Sequence, residues 1–379
     1  MKKIFYWGPF IDNKIATVSS IYNSVIGLNK FSNNVNAKII NSIGEWNFKI
    51  DKSNENLFIN SNRNIYNKLP KYGFFKSRLS YLIISFFCFF ELKRMLVKKN
   101  PDFFIAHLIV SLPLLLFKIF NFETKLIIRI SGKPKLNFFR KFFWRFTQHN
   151  VYKVFCPTAS TRQLLIENNV FDKKKIYVLN DPIIYVERFR EFKKDRCINK
   201  IFEKNNIICV GRLTKQKNFN LIIDAYKNSE ILKNYKIFIF GEGENKDYLK
   251  KKININGLEN KIFIMKYEDN IFKYMIRSKL LILTSLWEDP GFVLVESGMC
   301  NLNIISSNCP SGPEEIISKE ESGGYLFLNN NLNDLKKKIE IFFNEETSEL
   351  LKKKIFLKKR LKKFTIFNHT ILLKEYLNI

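Results

Sequence analysis

Glycine (14) and proline (10) are scarce in this 379-residue chain, which excludes long flexible linkers. The six cysteines (Cys88, Cys156, Cys197, Cys209, Cys300 and Cys309) include no C-x-x-C pair, which argues against a zinc or disulfide framework. Several sit in apolar strings such as Ile207–Val210, where a thiol packs as a small hydrophobe and suits a reducing, cytoplasmic compartment. Long hydrophobic runs are also missing. Tyr81–Phe90 is too short to cross a bilayer, and Phe103–Phe120 carries His107, Pro113 and Lys118, so it reads as strand, turn and helix. The N-terminal apolar run stops at Gly8-Pro9 with no small-residue cleavage site, so no secretory signal is expected. Acidic residues are few: 35 Asp and Glu against 64 Lys and Arg give a formal charge of +29. Such a chain attracts polyanions. Its lysines are scattered, however, and no zinc-finger, basic-zipper or RNP motif accompanies them, so no specific nucleic acid is expected as a partner. A peripheral contact with anionic membrane is expected instead, because aromatic and basic residues lie side by side, as in Phe86–Phe90 followed by Lys93 and Arg94.

What is present is ample apolar material, at 46% of residues, and a length that suggests two domains. Short apolar runs alternate with helical patterns, the signature of parallel α/β sheets. The spacing predicts strands over Lys3–Trp7, Asn36–Asn41, Phe103–His107, Leu126–Ile130, Lys153–Cys156 and Ile176–Leu179. A second series covers Asn206–Val210, Lys236–Phe240, Lys261–Met265, Leu280–Thr284 and Asn303–Ser306. The charged stretch Tyr185–Asn205 between them reads as a junction. The expected fold is α/β: two Rossmann-like doubly wound domains facing across a cleft, residues 1–195 and 196–350. Residues 351–379 read as basic helices packing back on the first domain. In such sheets ligands bind at the carboxyl ends of the strands, so function is sought in the loops that follow them.

Four loops of the second half carry chemistry. Gly211-Arg-Leu-Thr-Lys-Gln-Lys-Asn218 presents Arg212 and Lys217 beside a helix start, a cation pair suited to a diphosphate. Gly241-Glu-Gly243 is a G-x-G turn lacking the third glycine of a dinucleotide fingerprint. Leu286-Trp-Glu-Asp-Pro-Gly-Phe-Val-Leu-Val-Glu296 holds a turn at Pro290-Gly291 that opens a helix, with N–H groups at Gly291, Phe292 and Val293 oriented toward an anion. Glu288 at its mouth and Glu296 one turn inside would repel an anion unless hydroxyls came with it, which a nucleotide-sugar provides. Ser306–Ile317 is a Pro/Gly-rich loop expected to wall the same crevice.

Together, Gly211-Arg-Leu…Lys217, the G-x-G loop, Leu283-Thr-Ser…Glu288-x7-Glu296 and Gly312-Pro-Glu-Glu-Ile resemble the family 4 retaining glycosyltransferases of GT-B fold. The resemblance covers residues 205–330 well and the first domain loosely. It implies that Arg212 and Lys217 hold the donor diphosphate and that Glu296 takes the ribose hydroxyls. Glu288 would meet the donor sugar, with Gly211, Gly291, Phe292 and Val293 beside the nucleotide. In the first domain it implies an acceptor-side histidine at His107, a phosphate-proximal Gly8, and Arg129 and Lys133 turned to the cleft. No D-x-D element is well placed for a divalent ion, so neither metal nor cofactor is expected. The implied reaction moves a sugar from a UDP- or GDP-linked donor, with retention, onto a saccharide or lipid-linked acceptor in bacterial surface polysaccharide synthesis. The alternatives are a sugar-nucleotide epimerase on the same fold and a basic nucleic-acid-binding protein.

Overall fold

The computed structural model describes residues 1–61, 64–70, 74–195, 201–202 and 206–379. The chain divides into two compact units, Met1–Ile183 with Ile366–Ile379, and Ile184–Thr365.

The first unit holds β1 (Lys2–Trp7), β2 (Val35–Asn41), β3 (Phe58–Asn60), β4 (Phe103–Ala106), β5 (Lys125–Arg129), β6 (Val151–Cys156) and β7 (Ile176–Val178). All pair in parallel, in the order β3-β2-β1-β4-β5-β6-β7. The order in which strands are added reverses between β1 and β4, where Tyr6 pairs with Ile105. Strands covered on both faces must be apolar throughout, and all four residues of β4 are buried. Helices α1 (Ala16–Phe31), α2 (Phe74–Lys99), α3 (Ser111–Ile119), α4 (Phe138–Thr147) and α5 (Ala159–Glu167) cover the sheet.

The second unit holds β8 (Asn206–Val210), β9 (Ile237–Phe240), β10 (Ile262–Met265), β11 (Ser278–Leu283), β12 (Asn303–Ser307) and β13 (Tyr325–Phe327). Their order, β10-β9-β8-β11-β12-β13, is again parallel and reverses between β8 and β11. Its helices are α6 (Val186–Lys194), α7 (Asn220–Lys227), α8 (Lys246–Ile255), α9 (Phe272–Met275), α10 (Phe292–Met299), α11 (Pro313–Ile317), α12 (Leu332–Asn344) and α13 (Thr347–Arg360). The last helix of the chain, α14 (Ile366–Leu377), belongs to the first unit.

Both units thus have the doubly wound α/β architecture of the GT-B class. Every strand anticipated from the sequence is present, and the two that were not anticipated, β3 and β13, are three-residue strands at sheet edges. The division falls at Ile183 rather than near residue 195, because Val186–Lys194 of the charged stretch form α6 in the second unit. Phe189 and Phe192 of that helix pack on Phe272 of α9 at ring distances of 5.2 and 6.0 Å. The basic C-terminal segment also splits. Leu357 of α13 and Leu361 just after it press on Gly298 of α10, whereas Ile366 and Thr370 of α14 press on Gly27 of α1. Five cysteines among the described residues form no disulfide, and four of them are buried (Cys88, Cys156, Cys209 and Cys309); Cys197 lies outside the described residues.

Candidate functional site

The carboxyl ends of β8 and β11 flank the point where the second sheet reverses, and the loops leaving them are locked together. After β8 the chain turns at Gly211, whose missing side chain leaves room for the Lys217 stem; a Cβ there would lie 3.0 Å from Lys217 Cδ and Cε. The G-x-G loop after β9 has a packing explanation. A Cβ on Gly241 would stand 1.9 Å from the Gly211 carbonyl oxygen, so only glycine lets these loops approach so closely. Gln216 ties the first loop to the one after β11: its carbonyl accepts from Leu286 N–H at 2.8 Å, and its side-chain amide donates to the Trp287 carbonyl at 2.9 Å.

That tie sets the position of the charges. Lys217 Nζ pairs with Glu288 Oε1, and Ser285 Oγ donates to the same oxygen at 2.6 Å. Ser285 is fixed in turn, because its carbonyl accepts from Ser307 Oγ of β12 at 2.5 Å. Glu288 is buried while Lys217 is partly open, and Arg212 is exposed, within 3.5 Å of Gln216 Oε1. The Pro/Gly-rich loop closes on this group: Glu288 N–H donates to the Pro310 carbonyl at 3.2 Å, and a Cβ on Gly312 would lie 2.0 Å from the Pro290 carbonyl oxygen.

The Asp289-Pro290 peptide is cis, and Gly291 follows with φ 95°, a left-handed conformation that disfavours any residue with a Cβ. Gly291 is the N-cap of α10, where no side chain caps the first turn, so the helix offers its leading N–H groups and dipole to an anion. Phe292 is part-exposed and Val293 buried. Glu296, on the second turn, is half-buried, and burial raises its carboxyl to about 7 against the opposing pull of Lys217 and Arg188. Tyr267, in the loop after β10, feels the charges of Asp269, Glu296 and Arg188, and its phenol is pushed up to about 12, chiefly by burial.

The first unit places Gly8 and His107 together at the ends of β1 and β4. His107 N–H donates to the Trp7 carbonyl at 2.8 Å, and a Cβ on Gly8 would lie 3.5 Å from His107 Cβ. His107 is buried and held neutral, its pKa driven well below the usual imidazole value by burial and then by Arg129 and His369. Arg129 does not turn outward as anticipated. Its guanidinium is 2% exposed, pairs with Asp181 at 2.7 Å and donates to the Leu179 carbonyl at 2.5 Å. Ser20 Oγ also donates to Asp181, at 2.6 Å, so this cation is committed to holding the unit together.

Of the residues singled out by sequence, Gly211, Arg212, Lys217, Glu288, Gly291 and Glu296 are brought together in the second unit. Sequence reasoning missed Gln216, Ser285, Ser307 and Arg188. Ser285 and Ser307 lay inside the quoted motifs without a role, while Arg188 came from the stretch read as a junction. The assembled group pairs cations and a helix N-terminus, which stabilise phosphate, with carboxylates suited to hydroxyls.

Residues 191–358 match the sequence model of the family described as glycosyl transferases group 1. The N-acetylgalactosamine-N,N'-diacetylbacillosaminyl-diphospho-undecaprenol 4-alpha-N-acetylgalactosaminyltransferase of Campylobacter jejuni is 26% identical over 224 residues, 57% of this chain and 60% of that protein. The amylovoran biosynthesis glycosyltransferase AmsD of Erwinia amylovora is 30% identical over 183 residues, 46% of this chain and 50% of the relative. The chain thus spans 60% and 50% of the length of these two curated relatives. Among solved structures, a Staphylococcus aureus TarM variant in complex with fondaparinux, α-GlcNAc-glycerol and UDP superposes with TM-score 0.72 at 16% identity, over 100% of this chain and 99% of that one. These named relatives are glycosyltransferases, which does not favour an epimerase.

Proposed function

We propose that this chain, whose residues 191–358 match the sequence model of glycosyl transferases group 1, moves a sugar from a nucleoside-diphosphate donor to a saccharide or lipid-linked acceptor with retention. The observation that carries the reading is the Lys217–Glu288 pair, held by Ser285 and Gln216 at the carboxyl ends of β8 and β11, next to the N-terminus of α10. Lys217 leaves its carboxylate for the diphosphate, and Glu288 is freed to accept from sugar hydroxyls. Glu296 accepts from the ribose. Gly8 and His107 take, in this proposal, the phosphate-proximal and acceptor-side roles that the resemblance implies.

The bond from the anomeric carbon to the phosphate oxygen breaks, and the acceptor oxygen bonds to that carbon on the same face. The departing phosphate takes the acceptor proton. Negative charge grows on the leaving oxygen, where Arg212, Lys217 and the α10 terminus stabilise it. The α linkage named for the Campylobacter relative supports retention from an α-linked donor, and the name of the Erwinia relative supports a role in bacterial polysaccharide synthesis.

A thermal-shift screen against UDP-, GDP- and ADP-sugars identifies the donor, and sugar release is then followed with and without acceptor. Arg212→Ala and Lys217→Ala are each expected to lower turnover by about 100- to 1000-fold with the fold intact. Full turnover in either variant overturns the assignment.

A further inference from the structure

We propose that the outward face of α2, α3 and α4 is a docking surface for an anionic lipid bilayer. Helix α2 is apolar on two opposite sides. Ser80, Ile84, Cys88, Leu92 and Leu96 face the core at four-residue spacing, while Phe75, Leu79, Leu82, Phe86, Phe90 and Val97 form a second stripe in solvent. Phe86 and Phe90 are 78% and 72% exposed. A helix apolar all round is normally covered all round. At ~1.5 Å per residue this stripe runs for roughly 33 Å.

Helix α4 repeats the arrangement, with Trp144 and Thr147 inward and Phe138, Phe139, Phe142 and Phe146 exposed. Two contacts join the helices into one face. The Lys93 amine of α2 sits 3.8 Å above the Phe120 ring that follows α3. Lys118 of α3 sits 4.5 Å above the Phe146 ring of α4.

Charge selects the occupant. Six basic residues in α2, one in α3 and three in α4 stand against a single acidic one, Glu91. A second copy of the chain would set the same cations against each other. At a bilayer interface, rings enter at headgroup depth while Lys and Arg stems lie along apolar surface and keep their charges at the phosphates. No helix among the described residues is long and apolar enough to cross a membrane, so this contact lies in the plane of the surface.

The full chain is tested by co-sedimentation with vesicles of phosphatidylcholine alone and mixed with phosphatidylglycerol, at low and high salt. Binding needs no donor turnover, so it stands or falls separately from the proposed reaction. The mixed vesicles are expected to bind the chain, and salt to weaken binding. The variant Phe86→Ser/Phe90→Ser/Phe142→Ser/Phe146→Ser, exposed positions whose folding is checked by circular dichroism, is expected to bind at least about ten-fold more weakly. Charge reversal by Arg94→Glu/Lys98→Glu is expected to act in the same direction. Absence of binding at low salt overturns the proposal, as does undiminished binding by the serine variant. Equal binding to uncharged vesicles overturns the choice of an anionic surface. Light scattering that shows a dimer, lost in the serine variant, with no vesicle binding, assigns the face to self-association instead.

Discussion

Each unit builds an ion pair near the carboxyl edge of its sheet, and the two pairs are set up differently. In the first unit Arg129 and Asp181 are 2% and 8% exposed, and both hold further hydrogen bonds within the unit. In the second, Lys217 and Glu288 are 14% and 7% exposed, and the lysine lies on a loop beside an uncapped helix end. A cation sealed among fixed partners holds a fold together. A cation that reaches water can exchange its carboxylate for an arriving phosphate. Similar side-chain chemistry thus serves as framework in one unit and as a candidate site in the other, and the packing around it makes the difference.

The largest effect that sharpens this contrast is on stability. Asp181→Ala strands a buried guanidinium and is expected to cost about 3–5 kcal/mol in urea unfolding, whereas Glu288→Ala leaves a lysine that can reach water and should cost about 1 kcal/mol. Equal losses would break the comparison. A smaller effect is expected at Gly312→Ala, where a Cβ 2.0 Å from the Pro290 carbonyl oxygen must push two loops apart. That should cost about 1–3 kcal/mol of stability, and calorimetry should show weaker donor binding as well. Unchanged donor affinity would detach the Gly312 loop from the site.

The smallest effect is one of pH. Burial raises both Glu45 in the first unit and Glu296 in the second from 4.5 to about 7. A raised folded-state value means that each carboxyl's contribution is full below 4.5 and fades as the pH climbs to about 7. Glu296→Gln and Glu45→Gln should therefore each flatten part of the stability decline across that window. Donor affinity is expected to rise through pH 7 as Glu296 ionises, and only Glu296→Gln should abolish that rise. A rise that survives this variant removes Glu296 from donor binding.

Much of the second unit was legible in the sequence. Its motifs are compact loops after apolar strands, so Gly211–Lys217 and Glu288–Glu296 could be singled out as candidates from local patterns. Arg188 could not, because its helix is short and strongly charged, and it is held by Phe189 and Phe192 meeting a ring some eighty residues away. Arg129 misled for a related reason. At the end of a strand an arginine reads as a cleft residue, and only the return of the chain at Leu179 and Asp181 shows that it is already satisfied. Likewise α14 reads as a basic tail until Ile366 and Thr370 are seen packed on Gly27.

By itself the sequence determined the alternation of strands and helices, the doubly wound class of both units, and the loops that turn glycines, cations and glutamates toward one edge. Hydrophobic period and turn chemistry act over a few residues, so these features are written locally. Tertiary structure alone decided which charges are spent on the fold and which remain available, and which apolar stripe of α2 is covered. Burial and pairing depend on segments far apart in the chain, and no local pattern encodes who the neighbour will be.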